Sequence, residues 1–121
     1  MKKPKFTSYR RINGHDEFAE FYQSLSSKDR QKLIALIQTI EQQGLLIAAQ
    51  MEWIKKIDAN LYEIRSKVAS NIQRVLYFHD DGTSYIITHG FTKKTQKAPI
   101  KEIKHAEKIR TEYYLRKEDE S

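Results

Sequence analysis

The chain of 121 residues contains no cysteine, only two prolines and only four glycines, none of them adjacent to another. Without cysteine there are no disulfides, no thiolate zinc sites and no cysteine nucleophile, and this absence is typical of a cytoplasmic protein. The scattered glycines exclude a glycine-rich phosphate loop, and no Gly-x-Ser-x-Gly motif is found. No segment rich in Pro, Gly or Ser divides the chain, so we expect a single domain over residues 1–121.

Long apolar segments are also missing. The longest aliphatic run, from Leu45 to Ala49, is far shorter than the ~20 residues that cross a bilayer. No apolar stretch follows the basic N-terminus, so we expect no secretory signal. We predict a soluble, cytoplasmic protein without a membrane partner. A membrane-surface role for the lysine-rich C-terminal helix is disfavoured by its mixed Lys and Glu residues.

Positive charge is what the chain does have. It carries 22 Lys and Arg against 16 Asp and Glu, a net charge of +6, which indicates an anionic partner. The segment from Lys93 to Lys117 contains nine Lys or Arg residues against three Glu. Within it Lys93, Lys94 and Lys97 precede Pro99 at the start of a predicted helix, which suits a phosphate backbone. The alternative for Lys93 and Lys94 is an ordinary solvated loop.

Apolar spacing predicts helices early in the chain. A first strand is expected over residues 5–12, and it ends at the turn signal Asn13-Gly14. Apolar residues then recur at i, i+3, i+4 and i+7 from Phe18 and again from Leu33, so two amphipathic helices should form a hairpin. Ser26 is placed to cap the second helix and Gly44 to end it. Residues 45–59 fit either a short helix or an extended segment.

Alternating residues predict a sheet in the second half of the chain. Strands are expected over residues 60–66, 72–79 and 85–91, and Asp81-Gly82 predicts a tight hairpin between the last two. Pro99 is suited to the start of a C-terminal helix, and residues 116–121 are polar and are predicted to be a frayed tail. We expect helices on one side of the sheet and a partly covered, concave surface on the other.

Basic residues on these strands suggest chemistry on RNA. The RNA 2′-hydroxyl can attack the neighbouring phosphorus when its proton is removed and when cations stabilise the charge on the phosphoryl oxygens. If the predicted strands are adjacent, Arg65, Arg74, Lys93 and Lys94 approach one patch. Alternatively, the arginines face solvent or pair with acids, for which the candidates are Glu63, Asp80 and Asp81.

Several other residues allow two interpretations. His89 alternates with apolar neighbours, so it is either a core histidine or an acid or base. Tyr77 either stacks on a base or fills the core. Trp53 is interpreted as packing. The four histidines show no metal-ligand spacing, and we predict neither a metal nor another cofactor.

Four motifs together resemble one protein family. They are Leu61-Tyr62-Glu63-Ile64-Arg65, Gln73-Arg74-Val75-Leu76-Tyr77-Phe78, the run from His89 to Pro99, and Glu102-Ile103 with Ala106. This series is similar to the RelE/HigB-like toxins of type II toxin-antitoxin systems, in particular their phage-derived branch. The resemblance implies a compact α+β fold in which an N-terminal strand and a helical hairpin are followed by a mainly antiparallel sheet and a C-terminal helix.

The resemblance also implies a function. Toxins of this kind are metal-independent, ribosome-dependent endoribonucleases that cleave mRNA and inhibit translation. Their partner is a helix-turn-helix antitoxin. They are associated with DNA only indirectly, through this antitoxin. The catalytic candidates are then Arg65, Arg74, Lys93, Lys94 and His89, and the expected RNA contacts are Lys67, Lys97 and Tyr77. Tyr113 and Tyr114 are not expected to reach the site. The alternative is a non-catalytic RNA-binding or antitoxin-binding protein of the same fold.

Overall fold

A computed structural model describes residues 3–93 and 98–120, so Lys94 and Lys97 lie outside the described residues. Nine elements follow one another along the chain: β1 (Lys5–Ser8), α1 (Glu17–Ser24), α2 (Ser27–Gln43), α3 (Leu45–Gln50), β2 (Ile54–Asp58), β3 (Leu61–Val68), β4 (Asn71–Asp81), β5 (Ser84–Lys93) and α4 (Ile100–Glu120). None of the helices in this described part is long and apolar enough to cross a membrane.

The strands form one five-stranded sheet in the order β1-β5-β4-β3-β2. β2, β3, β4 and β5 pair with their neighbours in antiparallel fashion, whereas the edge strand β1 pairs with β5 in parallel. Asp81 pairs with Ser84 across a two-residue turn, as the Asp-Gly signal predicted. The predicted α+β fold with a mainly antiparallel sheet is therefore confirmed.

Helices α1, α2 and α3 cover one face of the sheet. The Ser26 hydroxyl accepts a hydrogen bond from the Asp29 backbone N–H, as predicted for the α2 cap, and α2 ends before Gly44, whose positive φ of 93° favours glycine. Residues 45–59 contain both of the structures considered, a short helix followed by a strand. The core under the helices is formed by Leu33, Ile37, Ile40, Ala48, Ile64, Val75, Tyr77 and Ile87.

Helix α4 covers much of the opposite face. Ala106 packs against Leu61 and Leu76, and Ile109 packs against Phe78. Apolar contact on both faces explains why residues 72–78 of the central strand β4 are all buried. The surface predicted to be partly covered and concave is therefore covered over much of its length by α4.

Two predicted boundaries are wrong. The first strand ends at Ser8 rather than at residue 12, because the chain turns away from the sheet where the Arg11 backbone N–H donates to the His15 carbonyl. Residues 116–120 are helical rather than frayed. Arg116 donates to the Tyr9 hydroxyl at 3.1 Å, and Lys117 forms an ion pair with Asp80 at 2.7 Å, so contacts with distant parts of the chain hold this last turn.

The close approach of α1 to β5 predicts a large effect of Gly90→Ala. A Cβ at Gly90 would lie 2.4 Å from a ring carbon of Phe21, too close for any real contact. We expect a loss of about 1–3 kcal/mol in the free energy of unfolding, measured by urea denaturation. In the matched double variant with Phe21→Leu, the loss should be smaller than the sum of the two single losses. Additive losses would show that this contact is not the cause.

Candidate functional site

Basic side chains from three strands share one face at one end of the sheet. Arg65 pairs directly with Arg74 across β3 and β4, so both side chains project from the same face. In the next row Ile72 pairs with Lys67 on one side and with Lys93 on the other. Because faces alternate along a strand, Lys67 and Lys93 lie on the same face as the two arginines. The structure thus brings together Arg65, Arg74, Lys67 and Lys93.

A buried carboxylate lies between the two arginines. Glu63 is 1% exposed; its Oε1 lies 3.4 Å from Arg65 Nε and its Oε2 lies 3.5 Å from Arg74 Nη1. Burial raises the pKa of Glu63, and the positive charges of Arg74, Arg65 and Lys55 oppose this rise. The sequence left open whether the two arginines face solvent or pair with an acid, and the structure pairs both with Glu63. Asp80, another candidate acid, instead binds Lys117 and Tyr113.

The two arginines differ in their access to solvent. The Arg65 side chain is 21% exposed, while Arg74 is 0% exposed, and burial lowers the pKa of the Arg74 guanidinium. An arginine remains protonated even so. In this conformation Arg74 therefore contributes positive charge from beneath the surface and is not itself accessible to a phosphate, which corrects its place among the catalytic candidates.

His89 is also largely buried, between β5 and α4. Its Nε2 lies 3.1 Å from Oε1 of Glu102 on α4, its Nδ1 lies 3.1 Å from the Thr88 hydroxyl, and its ring meets that of His105 edge to face. Burial lowers the pKa of His89, against the opposing effect of Glu102. Through these contacts His89 connects the sheet to helix α4. Of the two interpretations that the sequence left open, a core histidine or an acid or base, the contacts agree with the core histidine.

The tyrosines lie away from the basic face. Tyr77 is 1% exposed in the core under the helices, on the opposite side of the sheet from Arg74, so the predicted RNA contact of Tyr77 is wrong. Tyr113 donates to Asp80 and Tyr114 donates to the His79 carbonyl, at the other end of the sheet. Neither reaches the basic residues, in agreement with the sequence analysis.

Sequence reasoning missed Lys55. This exposed lysine on β2 pairs directly with Glu63, which adds a further positive charge beside the carboxylate. No sequence signal separated it from its neighbour Lys56, because residues 45–59 fitted either a helix or a strand, and only the register shows which lysine shares the face. Within residues 3–93 and 98–120, no group of three or more His, Asp or Glu side chains is arranged to hold a metal ion.

The arrangement is an α+β fold with a cationic face at one end of its sheet. The chain belongs to the family described as phage-derived protein Gp49-like (DUF891), whose model matches residues 20–111, about three quarters of the length. This is a family of toxin-antitoxin toxins, as the sequence motifs predicted, and membership implies an antitoxin partner. A search of the curated proteins finds no match to the chain.

The buried carboxylate predicts a strong effect of Glu63→Gln. Removing the negative charge between two guanidinium groups should lower the free energy of unfolding by about 3–5 kcal/mol, because a buried charge then loses its compensation. Asp58→Asn is the matched control, since Asp58 is an exposed acid on the adjacent strand β2. We expect this control to change stability by less than about 0.5 kcal/mol in urea denaturation. Similar losses in both variants would contradict a structural role for Glu63.

The lowered pKa of His89 predicts a pH dependence of stability. Below the ordinary histidine pKa of about 6.5, His89 binds a proton in the unfolded chain but stays neutral to a lower pH in the folded protein. The contribution of His89 to the free energy of unfolding is therefore complete above this pH and is lost as the pH falls. His89→Gln cannot titrate. Its free energy of unfolding should therefore decline less than that of the original protein between about pH 7 and about pH 5. Equal declines would show that His89 is not responsible.

Proposed function

We propose that this protein is the toxin of a type II toxin-antitoxin system of the RelE/HigB type, acting in the cytoplasm as one domain. Its activity is the metal-independent, ribosome-dependent cleavage of mRNA, which inhibits translation. The observation that supports this most is the convergence of Arg65, Arg74, Lys67 and Lys93 on one face, in a chain of a toxin family.

The reaction we propose uses the RNA as its own nucleophile. The 2′-oxygen loses its proton and bonds to the adjacent phosphorus, while the bond from phosphorus to the 5′-oxygen breaks and that oxygen takes up a proton. The products are a 2′,3′-cyclic phosphate and a free 5′-hydroxyl. Negative charge accumulates on the phosphoryl oxygens during this step, and fixed cations next to them lower the barrier.

We assign a distinct role to each part of the basic face. The partly exposed Arg65 stabilises the charge on the scissile phosphate, and the exposed Lys67 and Lys93 bind the backbone with Lys97. Lys93 or Lys94 serves in proton transfer. Arg74 acts from beneath by holding Glu63, which in turn orients Arg65, and so it is a positioning residue. His89 likewise positions β5 against α4.

A second candidate is a non-catalytic protein that binds RNA or only the antitoxin. The burial of Arg74 and His89 favours it, because two of the predicted catalytic residues do not reach solvent. In this case the basic face supplies affinity for phosphates and no acid or base acts on the RNA. RNA binding that weakens with salt, without cleavage products, distinguishes it from the toxin.

Expression from a tightly controlled promoter tests the proposal. The original protein should arrest growth and produce new ends within translated messages, which primer extension detects. Arg65→Ala should reduce cleavage about 10²-fold, the usual effect of removing one group that stabilises transition-state charge. Lys55→Ala and Lys56→Ala form a matched pair, because they alternate between the faces of β2. Only Lys55→Ala should weaken cleavage.

Purified protein separates the two candidates. On translating ribosomes, which themselves require Mg²⁺, it should cut mRNA at the same rate with and without added transition metals, and free RNA should be a poor substrate. Intact messages and normal growth at high expression would remove the enzymatic function. Retention of RNA binding under those conditions would leave the non-catalytic candidate in place.

A further inference from the structure

A cavity of about 470 Å³ opens beside the basic face. It lies between α2 and the end of β3 that extends past the first residue of β2. This volume is in the range of small-molecule sites. Its walls combine apolar, cationic and hydroxyl groups, namely Lys32, Leu36, Trp53, Arg65, Ser66 and Lys67. Arg65 therefore belongs both to this cavity and to the ion pair with Glu63.

Trp53 is held firmly at the cavity wall. Its backbone N–H donates to the Ala48 carbonyl at 2.9 Å, and its carbonyl accepts from the Arg65 N–H at 2.9 Å. The preceding residue, Glu52, has a φ of 61°, a left-handed conformation that is unfavourable for a residue with a side chain. The indole packs on the core and is partly exposed, and Trp53 lines the cavity, so an aromatic surface is held there.

Cationic groups surround this aromatic surface. Lys32 on α2 donates through its Nζ to the Lys67 backbone carbonyl, which joins the helix to the end of β3. Arg65 and Lys67 add positive charge from β3, and Glu52 supplies a carboxylate at the same cavity. An aromatic platform beside cations matches the two parts of a nucleotide, a base and its phosphates.

The Ser66 hydroxyl is the independent sign of a ligand. Ser66 is 1% exposed, and its Oγ forms no hydrogen bond with any of residues 3–93 and 98–120. In this conformation the Oγ is not open to the cavity, but a buried hydroxyl without a partner costs free energy, and a polar ligand group that met Ser66 Oγ after a rotation of its side chain would recover that cost. If Trp53 served only for packing, as the sequence suggested, the unpaired Ser66 hydroxyl would have no explanation.

We propose that this cavity binds one nucleotide of the RNA, with its base against Trp53, its polar edge at Ser66 and its phosphate among Lys32, Arg65 and Lys67. The proposal rests on the proposed function only in taking RNA as the source of that nucleotide. Since Arg65 borders both sites, the bound nucleotide lies next to the scissile phosphate. The cavity would then hold the RNA in register for cleavage.

Trp53 provides a direct readout because it is the only tryptophan in the chain. The probe is a tetranucleotide with 2′-O-methyl groups, which cannot be cleaved through the 2′-hydroxyl. It should quench Trp53 emission and saturate at the concentration at which fluorescence polarisation of a labelled copy shows binding. An abasic ribose-phosphate oligomer should bind without quenching, and inorganic phosphate should do neither.

Three variants test individual walls of the cavity by polarisation. Trp53→Leu should weaken binding about tenfold, as for the loss of one stacked base. Lys32→Ala should lower the slope of log affinity against log salt by about 0.7, the value for one contact with single-stranded nucleic acid. Ser66→Ala should weaken binding while leaving the free energy of unfolding unchanged or higher, because it removes an unsatisfied hydroxyl. A purely structural Ser66 would not give this combination.

Particular results would overturn the proposal. Binding of the tetranucleotide without any change in Trp53 emission would do so, as would no quenching at millimolar concentration or full affinity of Ser66→Ala. A nucleoside 5′-monophosphate that saturates at lower concentration than the tetranucleotide would exclude RNA as the occupant. Cleavage on ribosomes with unchanged Trp53 emission would refute the cavity alone, whereas quenching without cleavage would refute the enzymatic function alone.

Discussion

The Glu63 carboxylate between two guanidinium groups is the interaction on which the basic face depends. Two arginines paired across β3 and β4 repel each other, and one of them, Arg74, is fully buried. A carboxylate at 3.4 and 3.5 Å compensates both charges and orients their side chains. Buried ion pairs add little net stability, but they impose one arrangement, and here the arrangement directs Arg65 toward the surface.

This arrangement gives the face two layers. Glu63 and Arg74 lie beneath, and Arg65, Lys55, Lys67 and Lys93 form a rim that solvent and ligands can reach. The rim carries more positive charge than the single carboxylate compensates, so the face attracts phosphates while its geometry is fixed from below. The proposed nucleotide cavity adjoins this rim through Arg65, so that one side chain would connect binding of a base with stabilisation of a phosphate.

Local patterns were sufficient for most of the fold. Apolar residues at helical spacing identified α1 and α2, Ser26 marked the α2 cap, and Asp81-Gly82 marked the hairpin, because each of these signals acts within a few residues. The errors involve distant contacts. The last turn of α4 is held by Arg116 against Tyr9, a separation of 107 residues, and no local pattern in the polar tail reports it. The site was predictable only in part, since burial of Tyr77 and Arg74 depends on tertiary packing that neighbouring residues do not report.

By itself the sequence determined the order of helices and strands outside residues 45–59, the excess of positive charge and the motifs that identify a toxin family, because these are properties of neighbouring residues. The tertiary structure alone decided that Arg74 lies beneath the surface and Arg65 at its rim, that Lys55 rather than Lys56 joins them, and that Trp53 and Ser66 line a cavity. The physical reason is that register and burial arise from packing between elements remote in the chain. The same residue type acquires a different environment according to what packs over it.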